Sequence, residues 1–138
     1  MKRNLLLFAA TLALVVTTAA SAQTIKVTAT VPFSFIVNRA TLPAGEYLVQ
    51  SLDDHGKVLA IRDLDTNATN LVLSNSCTSL KSASQTKLIF HRYGKRYFLN
   101  QIWVEGNNSG HEFRPSPREK EVAKDSSERD VVLMATQR

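Results

Sequence analysis

The feature that most constrains the fold is a two-residue alternation of apolar and polar side chains that begins at residue 24. In the segment TIKVTATV, residues 24–31, every second side chain from Ile25 onward is apolar. Successive side chains of a β-strand point to opposite faces of a sheet, so this period is typical of a strand with one buried face. Turn signals such as LPAG separate the runs, which predicts an all-β, mainly antiparallel single domain of about eight strands, either a β-sandwich or a small β-barrel. The other runs of this kind cover residues 33–37, 46–52, 57–63, 70–74, 87–93, 96–104 and 131–135.

The first 22 residues predict that the protein is exported. They run from a basic start, MKRN, through an apolar stretch, LLLFAATLALVV, to the small residues Ala20-Ser21-Ala22. This order is that of a secretory signal peptide with an A-x-A cleavage site. The apolar stretch is shorter than the ~20 residues that a membrane-spanning helix needs, which favours a cleaved leader over an uncleaved N-terminal anchor. We expect no transmembrane helix in the mature chain. Cleavage after Ala22 leaves residues 23–138 as one β-domain, which we expect in the periplasm or outside the cell.

Net charge and cysteine content limit which classes of partner and which sources of stability we expect. Removal of Lys2 and Arg3 with the leader lowers the formal net charge from +5 to +3. A net charge this small, in a chain predicted to be exported, argues against a nucleic-acid partner. Cys77 is the only cysteine, so the chain forms no internal disulfide and depends on a hydrophobic core. We interpret Cys77 as a half-buried residue at a strand end, and the alternative is an intermolecular disulfide.

The segment IFHRYGKRYFLNQIW, residues 89–103, predicts a β-hairpin. Gly94 and Lys95 suit the two central positions of a type II′ turn. The strands on either side are apolar on both faces away from the turn, which is typical of a central, doubly covered position. The pairs that this turn predicts are Tyr93–Arg96, Arg92–Tyr97, His91–Phe98 and Phe90–Leu99. The expected faces are Leu88, Phe90, Leu99 and Trp103 on one side and Ile89, His91, Phe98, Ile102 and Val104 on the other.

The tip of this hairpin is the predicted contact surface. No acidic residue occurs between residues 66 and 104, and cations concentrate near the turn. A cationic surface with aromatic side chains suits an anionic polysaccharide, a lipid headgroup or an acidic protein. The alternative interpretation is that these charges only keep a strand edge soluble and prevent aggregation. The residues of the predicted surface are His91, Arg92, Tyr93, Lys95, Arg96 and Tyr97.

Two longer segments carry a family resemblance. They are VPFSFIVNRATLPAGEYLV, residues 31–49, and KLIFHRYGKRYFLNQIW, residues 87–103. Their V-P-F-x-F, L-P-A-G-x-Y and F-H-R-Y-G motifs resemble those of a family of small exported β-rich proteins from acidobacterial-type soil bacteria. The resemblance spans nearly the whole mature chain and implies export and a β-rich fold. It implies no activity and no catalytic or ligand residue at any position of this sequence.

The C-terminal part predicts one short helix and a last strand. Ser116 can cap the helix, Pro117 suits its first position and Glu119 can close a capping box. We therefore expect a short polar surface helix at about residues 117–125 and a last strand at about residues 131–135. Polar stretches without periodicity are interpreted as loops, namely residues 74–86 and 106–117.

The chain contains no motif that predicts catalysis. Its histidines are too far apart in sequence for a local zinc motif. Ser109 lies near His111 but lacks the strand–turn–helix frame of a nucleophile elbow, and aspartates at turns are favoured there for local hydrogen bonds. We therefore predict no catalytic, cofactor or metal site. A composite metal site in the loops would have to draw on His55, His111, Asp54 and Glu112.

The prediction is thus a non-catalytic binding or interaction protein of the cell envelope or the extracellular space. Three alternatives stay open: a structural envelope or matrix protein that assembles through strand edges, a small-molecule carrier barrel, and a loop-based hydrolase or metal-binding protein. An enclosed cavity of ligand size, at least about 300 Å³, would favour the carrier. A filled core would instead move the function to the surface.

Overall fold

A computed structural model describes residues 25–137, which form two β-sheets and one helix. The predicted signal peptide, residues 1–22, lies outside the described residues. The helix α1 spans Pro117–Asp125. The strands are β1 (Lys26–Val31), β2 (Phe35–Val37), β3 (Ala40–Leu42), β4 (Gly45–Ser51), β5 (Val58–Asp63), β6 (Thr69–Leu73), β7 (Asn75–Thr78), β8 (Lys87–Tyr93), β9 (Arg96–Trp103), β10 (Ser109–Glu112), β11 (Arg129–Met134) and β12 (Thr136–Gln137).

Two open sheets organise the fold. The first has the strand order β12-β1-β4-β5-β6, and its neighbours are antiparallel. The second has the antiparallel order β11-β8-β9-β10-β7, and the β2–β3 hairpin joins it through a parallel pair between Ile36 and Phe98. The mainly antiparallel β class is confirmed. The sheets of residues 25–137 do not close into a barrel, so the architecture is roughly sandwich-like.

One apolar core lies between the sheets. It takes the alternate side chains that the two-residue period places on one face of each strand. Phe90, at its centre, packs edge-on against Phe33 and Phe35, with ring centroids 5.1 and 5.5 Å apart. These aromatic side chains form the centre of the packed interior between the two sheets. Core residues of the first sheet include Val27, Val49, Leu59 and Ile61, and those of the second include Leu88, Phe90, Leu99 and Ile102.

The described chain has twelve strands, more than the eight expected. Part of the excess lies in the stretches 74–86 and 106–117, so their interpretation as loops is wrong in part. β7 and β10 lie in these stretches and pair with each other, with Cys77 opposite Gly110. A ladder between polar, half-exposed strands needs backbone hydrogen bonds but no hydrophobic alternation, which is why periodicity does not reveal it.

The predicted register of the β8–β9 hairpin is confirmed at all four pairs nearest the turn. Gly94 has a φ of +61° whereas Lys95 has a negative φ, as a type II′ turn requires. β8 also pairs with β11, and β9 pairs with β10 and β2, so the hairpin is central in its sheet.

A β-bulge at Asn100 changes the predicted faces of β9. Phe90 lies opposite Leu99 but Ile89 lies opposite Gln101, so Asn100 is an extra residue. The alternation therefore inverts beyond it, and the predicted faces are wrong there. Ile102 and Val104 join the core that contains Leu99, whereas Trp103 lies on the outer side, where its indole Nε1 donates to Gln101 Oε1 at 2.9 Å.

The helix α1 packs on the outer face of the hairpin. Ser116 Oγ accepts a hydrogen bond from the Glu119 backbone N at 3.2 Å, so the predicted N-cap is present. Val122 packs against Tyr93 and Phe98. The Glu119 side chain does not return to close a capping box. It points into the protein and is buried, which the polar composition of the helix does not predict.

Candidate functional site

The hairpin turn places the six predicted contact residues on two sides of the second sheet. Arg92, Lys95 and Arg96 are exposed. Tyr97 is half-buried and stacks on Phe33, with ring centroids 3.8 Å apart. The Arg92 guanidinium carbon lies 5.5 Å from the centre of the Tyr97 ring, and its Nε donates to the Gly94 carbonyl at 2.8 Å. Arg92 is therefore held in place by two contacts while its remaining donors face solvent.

Arg92 has a second cation beside it that sequence reasoning missed. Arg129, the first residue of β11, lies directly opposite Arg92 across the strand pair. A depression of about 230 Å³ is lined by these two arginines together with Gly94 and Ser127. Like charges directly opposite each other destabilise a sheet. The predicted last strand began at residue 131 and therefore left Arg129 out, and the register of β11 against β8 has no local signal in the sequence.

His91 and Tyr93 lie on the other side of the hairpin, under the helix. Tyr93 is buried, and its hydroxyl donates to Glu119 Oε1 at 3.2 Å. His91 Nδ1 lies 2.9 Å from the same oxygen. Burial, together with the nearby Glu119 carboxylate, raises the pKa of Tyr93 to about 12. Tyr93 therefore remains a hydroxyl donor at physiological pH, and neither residue is available for contact with a large partner.

Two further carboxylates approach the other nitrogen of His91. Its Nε2 lies 3.1 Å from Glu128 Oε1 and 3.8 Å from Asp130 Oδ1. Within residues 25–137 this is the group of histidine, cysteine and carboxylate side chains close enough together to hold a metal ion. The sequence does not reveal it, because the two acids follow His91 by 37 and 39 residues.

The composite site drawn from the other two histidines does not assemble. His111 Nδ1 lies 3.1 Å from the Gly56 carbonyl and 3.2 Å from Ser74 Oγ, whereas His55 is exposed in a turn. Ser74 Oγ itself donates to the Gly56 carbonyl at 2.6 Å. Burial lowers the pKa of His111, so the ring is neutral and its Nδ1 proton serves the Gly56 carbonyl. An imidazole nitrogen that already carries a proton cannot take one from serine, so this pair is a structural tie.

Two of the turn aspartates bind their own turns. Asp53 Oδ1 accepts from the Val58 backbone N at 3.0 Å, and Asp63 Oδ1 accepts from Asp65 N at 2.9 Å. The hydrogen bond from Val58 lowers the pKa of Asp53. Cys77 is half-buried in β7, where burial and the nearby Glu112 carboxylate raise the pKa of its thiol. These groups stabilise local structure, and a raised pKa leaves the thiol less reactive.

A surface groove of about 780 Å³ lies between β6, the β2–β3 turn and residues 114–117. β6 is the last strand of its sheet, so one edge is unpaired. Leu71 and Leu73 line the groove and are 65% and 70% exposed. Arg39 and Arg114 also line it, and none of its described lining residues is acidic. The groove thus combines apolar surface with two cations.

No protein-family model, curated protein or solved structure matches this chain. In residues 25–137 no helix has the length and apolar character needed to cross a membrane. The surfaces described above therefore carry what can be inferred about function.

Proposed function

We propose that the protein is an exported, non-catalytic binding protein that recognises an anionic polysaccharide through a basic tip formed by Arg92, Lys95, Arg96 and Arg129. The observation that carries the proposal is the cross-strand pair of Arg92 and Arg129. Two guanidinium groups at this spacing repel each other in the free protein. A carboxylate, sulfate or phosphate group between them replaces that repulsion with charge-assisted hydrogen bonds.

The charge pattern around the tip supports an external anion. The ion pairs within residues 25–137 all involve His91, so the cations of the basic tip have no carboxylate partner among the described residues. Arg129, the first residue of β11, lies between Glu128 and Asp130 in sequence, and both acids contact His91 on the opposite face of the sheet. Strand alternation thus separates a basic face from an acidic one.

The size of the depression supports a small anionic group carried on a polymer. A volume of about 230 Å³ lies below the range of roughly 300–1,000 Å³ typical of drug-sized ligand sites. It accommodates one anionic substituent, and Lys95 and Arg96 at the turn can contact neighbouring substituents. A polysaccharide with regularly spaced uronate or sulfate groups meets these requirements.

The test is binding of the purified exported protein to alginate, with phosphatidylglycerol vesicles and polyglutamate as the other two anionic probes. The double variant Arg92→Gln/Arg129→Gln should bind alginate about tenfold more weakly, since two exposed ion contacts contribute roughly 0.7 kcal/mol each. Lys26→Gln/Lys57→Gln, which removes two exposed cations far from the tip, should bind like the wild type.

Three results would contradict the proposal: equal losses in both double variants, binding to none of the probes, or a preference for vesicles or polyglutamate over alginate. Removal of Arg129 alone also tests the repulsion directly. The Arg129→Gln variant should be at least as stable to urea as the wild type, because it relieves a like-charge pair.

A second candidate, small-molecule carriage, is supported by the groove beside β6. Its volume of about 780 Å³ falls within the usual range of ligand sites, and its two arginines with exposed leucines suit an amphipathic anion. A fluorescent fatty acid should then bind wild type and lose affinity in Leu71→Ser and in Arg114→Gln. Unchanged binding in both variants would exclude the groove.

The same edge bears on the structural alternative of assembly through strand edges. An unpaired strand with exposed leucines is a surface on which another copy can add. A protein that stays monomeric at high concentration in size-exclusion chromatography would count against assembly, and Leu73→Lys offers the matched variant if oligomers appear.

A further inference from the structure

We infer that His91, Glu128 and Asp130 form a binding site for a divalent transition-metal ion such as Zn²⁺, with Glu119 as the residue that positions His91. The site lies where the end of α1, the start of β11 and the hairpin strand β8 meet. It is separate from the Arg92–Arg129 pair, because its ligands project from the opposite face of the second sheet.

The spacing of the ligand atoms fits such an ion. Two ligand atoms about 2.1 Å from Zn²⁺ at a tetrahedral angle lie roughly 3.4 Å apart. The distances from His91 Nε2 to Glu128 Oε1 and Asp130 Oδ1, 3.1 and 3.8 Å, bracket that value. All three ligand atoms lie within 4.8 Å of one another. The side chains of Glu128 and Asp130 are 49% and 64% exposed, so they can adjust to the ion and leave a coordination position open to water.

The buried side of the site orients the imidazole for metal binding. Glu119 is almost fully buried, and its Oε1 faces His91 Nδ1 at 2.9 Å while accepting from the Tyr93 hydroxyl. A carboxylate accepts but does not donate, so Nδ1 carries a proton and Nε2 is the nitrogen that can bind a metal ion. The lone pair of Nε2 then points towards Glu128 and Asp130. A carboxylate that holds the far nitrogen of a ligating histidine is the usual outer-shell arrangement of zinc sites.

The chemistry of the ligands selects the class of ion. A neutral imidazole lone pair facing two carboxylates is repulsive unless a cation lies between them. Two carboxylates balance the charge of a divalent ion, and an imidazole ligand favours Zn²⁺ or a similar transition ion. Ca²⁺ and Mg²⁺ prefer sites composed of oxygen ligands, so they should bind more weakly here.

The test is calorimetric titration of Zn²⁺ into the purified exported protein after treatment with a chelator. We expect saturable binding of one ion per chain. Glu128→Gln/Asp130→Asn should weaken binding at least about tenfold while leaving the fold intact, because both side chains are exposed. The control Glu121→Gln/Asp125→Asn removes two exposed acids of α1 that do not contact His91, and it should bind Zn²⁺ like the wild type.

Glu119→Gln tests the positioning role. It should weaken Zn²⁺ affinity by about 10–100-fold, the usual effect of losing an outer-shell carboxylate. In the wild type, ¹⁵N NMR of the imidazole should show Zn²⁺ on Nε2 of His91 and a retained proton on Nδ1. In Glu119→Gln the fraction of the Nδ1-protonated tautomer should fall, a change that altered packing alone would not produce.

Four outcomes would overturn the inference. They are no saturable Zn²⁺ binding, full binding in Glu128→Gln/Asp130→Asn, an equal loss in Glu121→Gln/Asp125→Asn, and Ca²⁺ binding as tight as that of Zn²⁺. The first would mean that the three side chains contact one another without a metal ion. The last would mean a non-selective acidic surface.

Discussion

Replacement of Glu119 by alanine should remove a large share of the stability of this protein, although glutamates on polar helices usually face water. Glu119 is only 5% exposed, and its Oε1 accepts from His91 Nδ1 at 2.9 Å and from the Tyr93 hydroxyl at 3.2 Å. A hydrogen bond to a charged group contributes about 1.5–3 kcal/mol, and a buried donor left without an acceptor costs about 1–3 kcal/mol. Since Tyr93 is also only 5% exposed, its hydroxyl cannot turn to water instead.

We therefore expect Glu119→Ala to lower the free energy of unfolding by about 3–5 kcal/mol, out of roughly 5–15 kcal/mol for a typical domain. Glu119→Gln keeps an acceptor oxygen and loses only the charge, so it should cost about 1–2 kcal/mol. Urea denaturation at pH 7 measures both values. Glu121→Ala, an exposed change on the same helix, is the control and should stay within about 0.5 kcal/mol of wild type.

A double-mutant cycle shows whether the loss arises from the contact itself. Tyr93→Phe removes the hydroxyl and keeps the ring. Combined with Glu119→Ala, it should reveal a coupling energy of about 1 kcal/mol or more, because the two side chains share one hydrogen bond. The reasoning is refuted if Glu119→Ala costs no more than Glu121→Ala, or if the two changes are additive.

Three further predictions concern the turn at Gly56, the titration of the half-buried His111 and the titration of the buried Tyr93. Gly56 has a φ of +66°, and a Cβ there would collide with the His111 ring, so Gly56→Ala should cost about 2–4 kcal/mol in thermal unfolding and much less in a His111→Ala background. Because burial lowers the pKa of His111 from 6.5, the folded state binds fewer protons than the unfolded one. Stability should then fall as pH drops below 6.5, and an unchanged slope in His111→Gln would disprove this. Tyr93, with a pKa raised from 10.0 to about 12, should lose its stabilising contribution as pH rises between these values; alkaline spectrophotometric titration should show a component near pH 12 that Tyr93→Phe lacks.

Elements that depend on neighbouring residues in the sequence could be predicted. The β8–β9 hairpin contains one feature of this kind, its turn, and one that could not be predicted, its bulge. Gly94 determines the turn and hence the register of the four adjacent pairs. The bulge at Asn100 depends on the neighbours of β9 instead. Its outer edge pairs with β2 at Phe98 and with β10 from Gln101 onward, and the Asn100 carbonyl accepts from Phe113 N at 2.8 Å. The bulge lies between the segment of β9 that pairs with β2 and the segment that pairs with β10. No local sequence pattern encodes this change of partner strand.

The candidate sites were harder to predict because each joins segments distant in sequence. Arg92 stands out from its neighbours, but its pairing with Arg129 depends on where the last strand begins. Glu119 belongs to a helix whose composition indicates full exposure. Its burial follows from the meeting with His91 and Tyr93, and these donors compensate the cost of enclosing a carboxylate. Sequence alone showed the segregation of charge, and the structure shows which charges face each other.

The last two strands, β11 and β12, each complete one of the two sheets. β11 completes the second sheet beside β8, and β12 then crosses to the first sheet and pairs beside β1, with Val27 opposite Gln137. A chain that has emerged only as far as residue 128 leaves β1 and β8 each with an uncovered edge. Pairing between residues so far apart is slow, so we expect the sandwich to close late. In a protein exported as we propose, late closure would keep the chain unfolded while it crosses the membrane and let it fold after export.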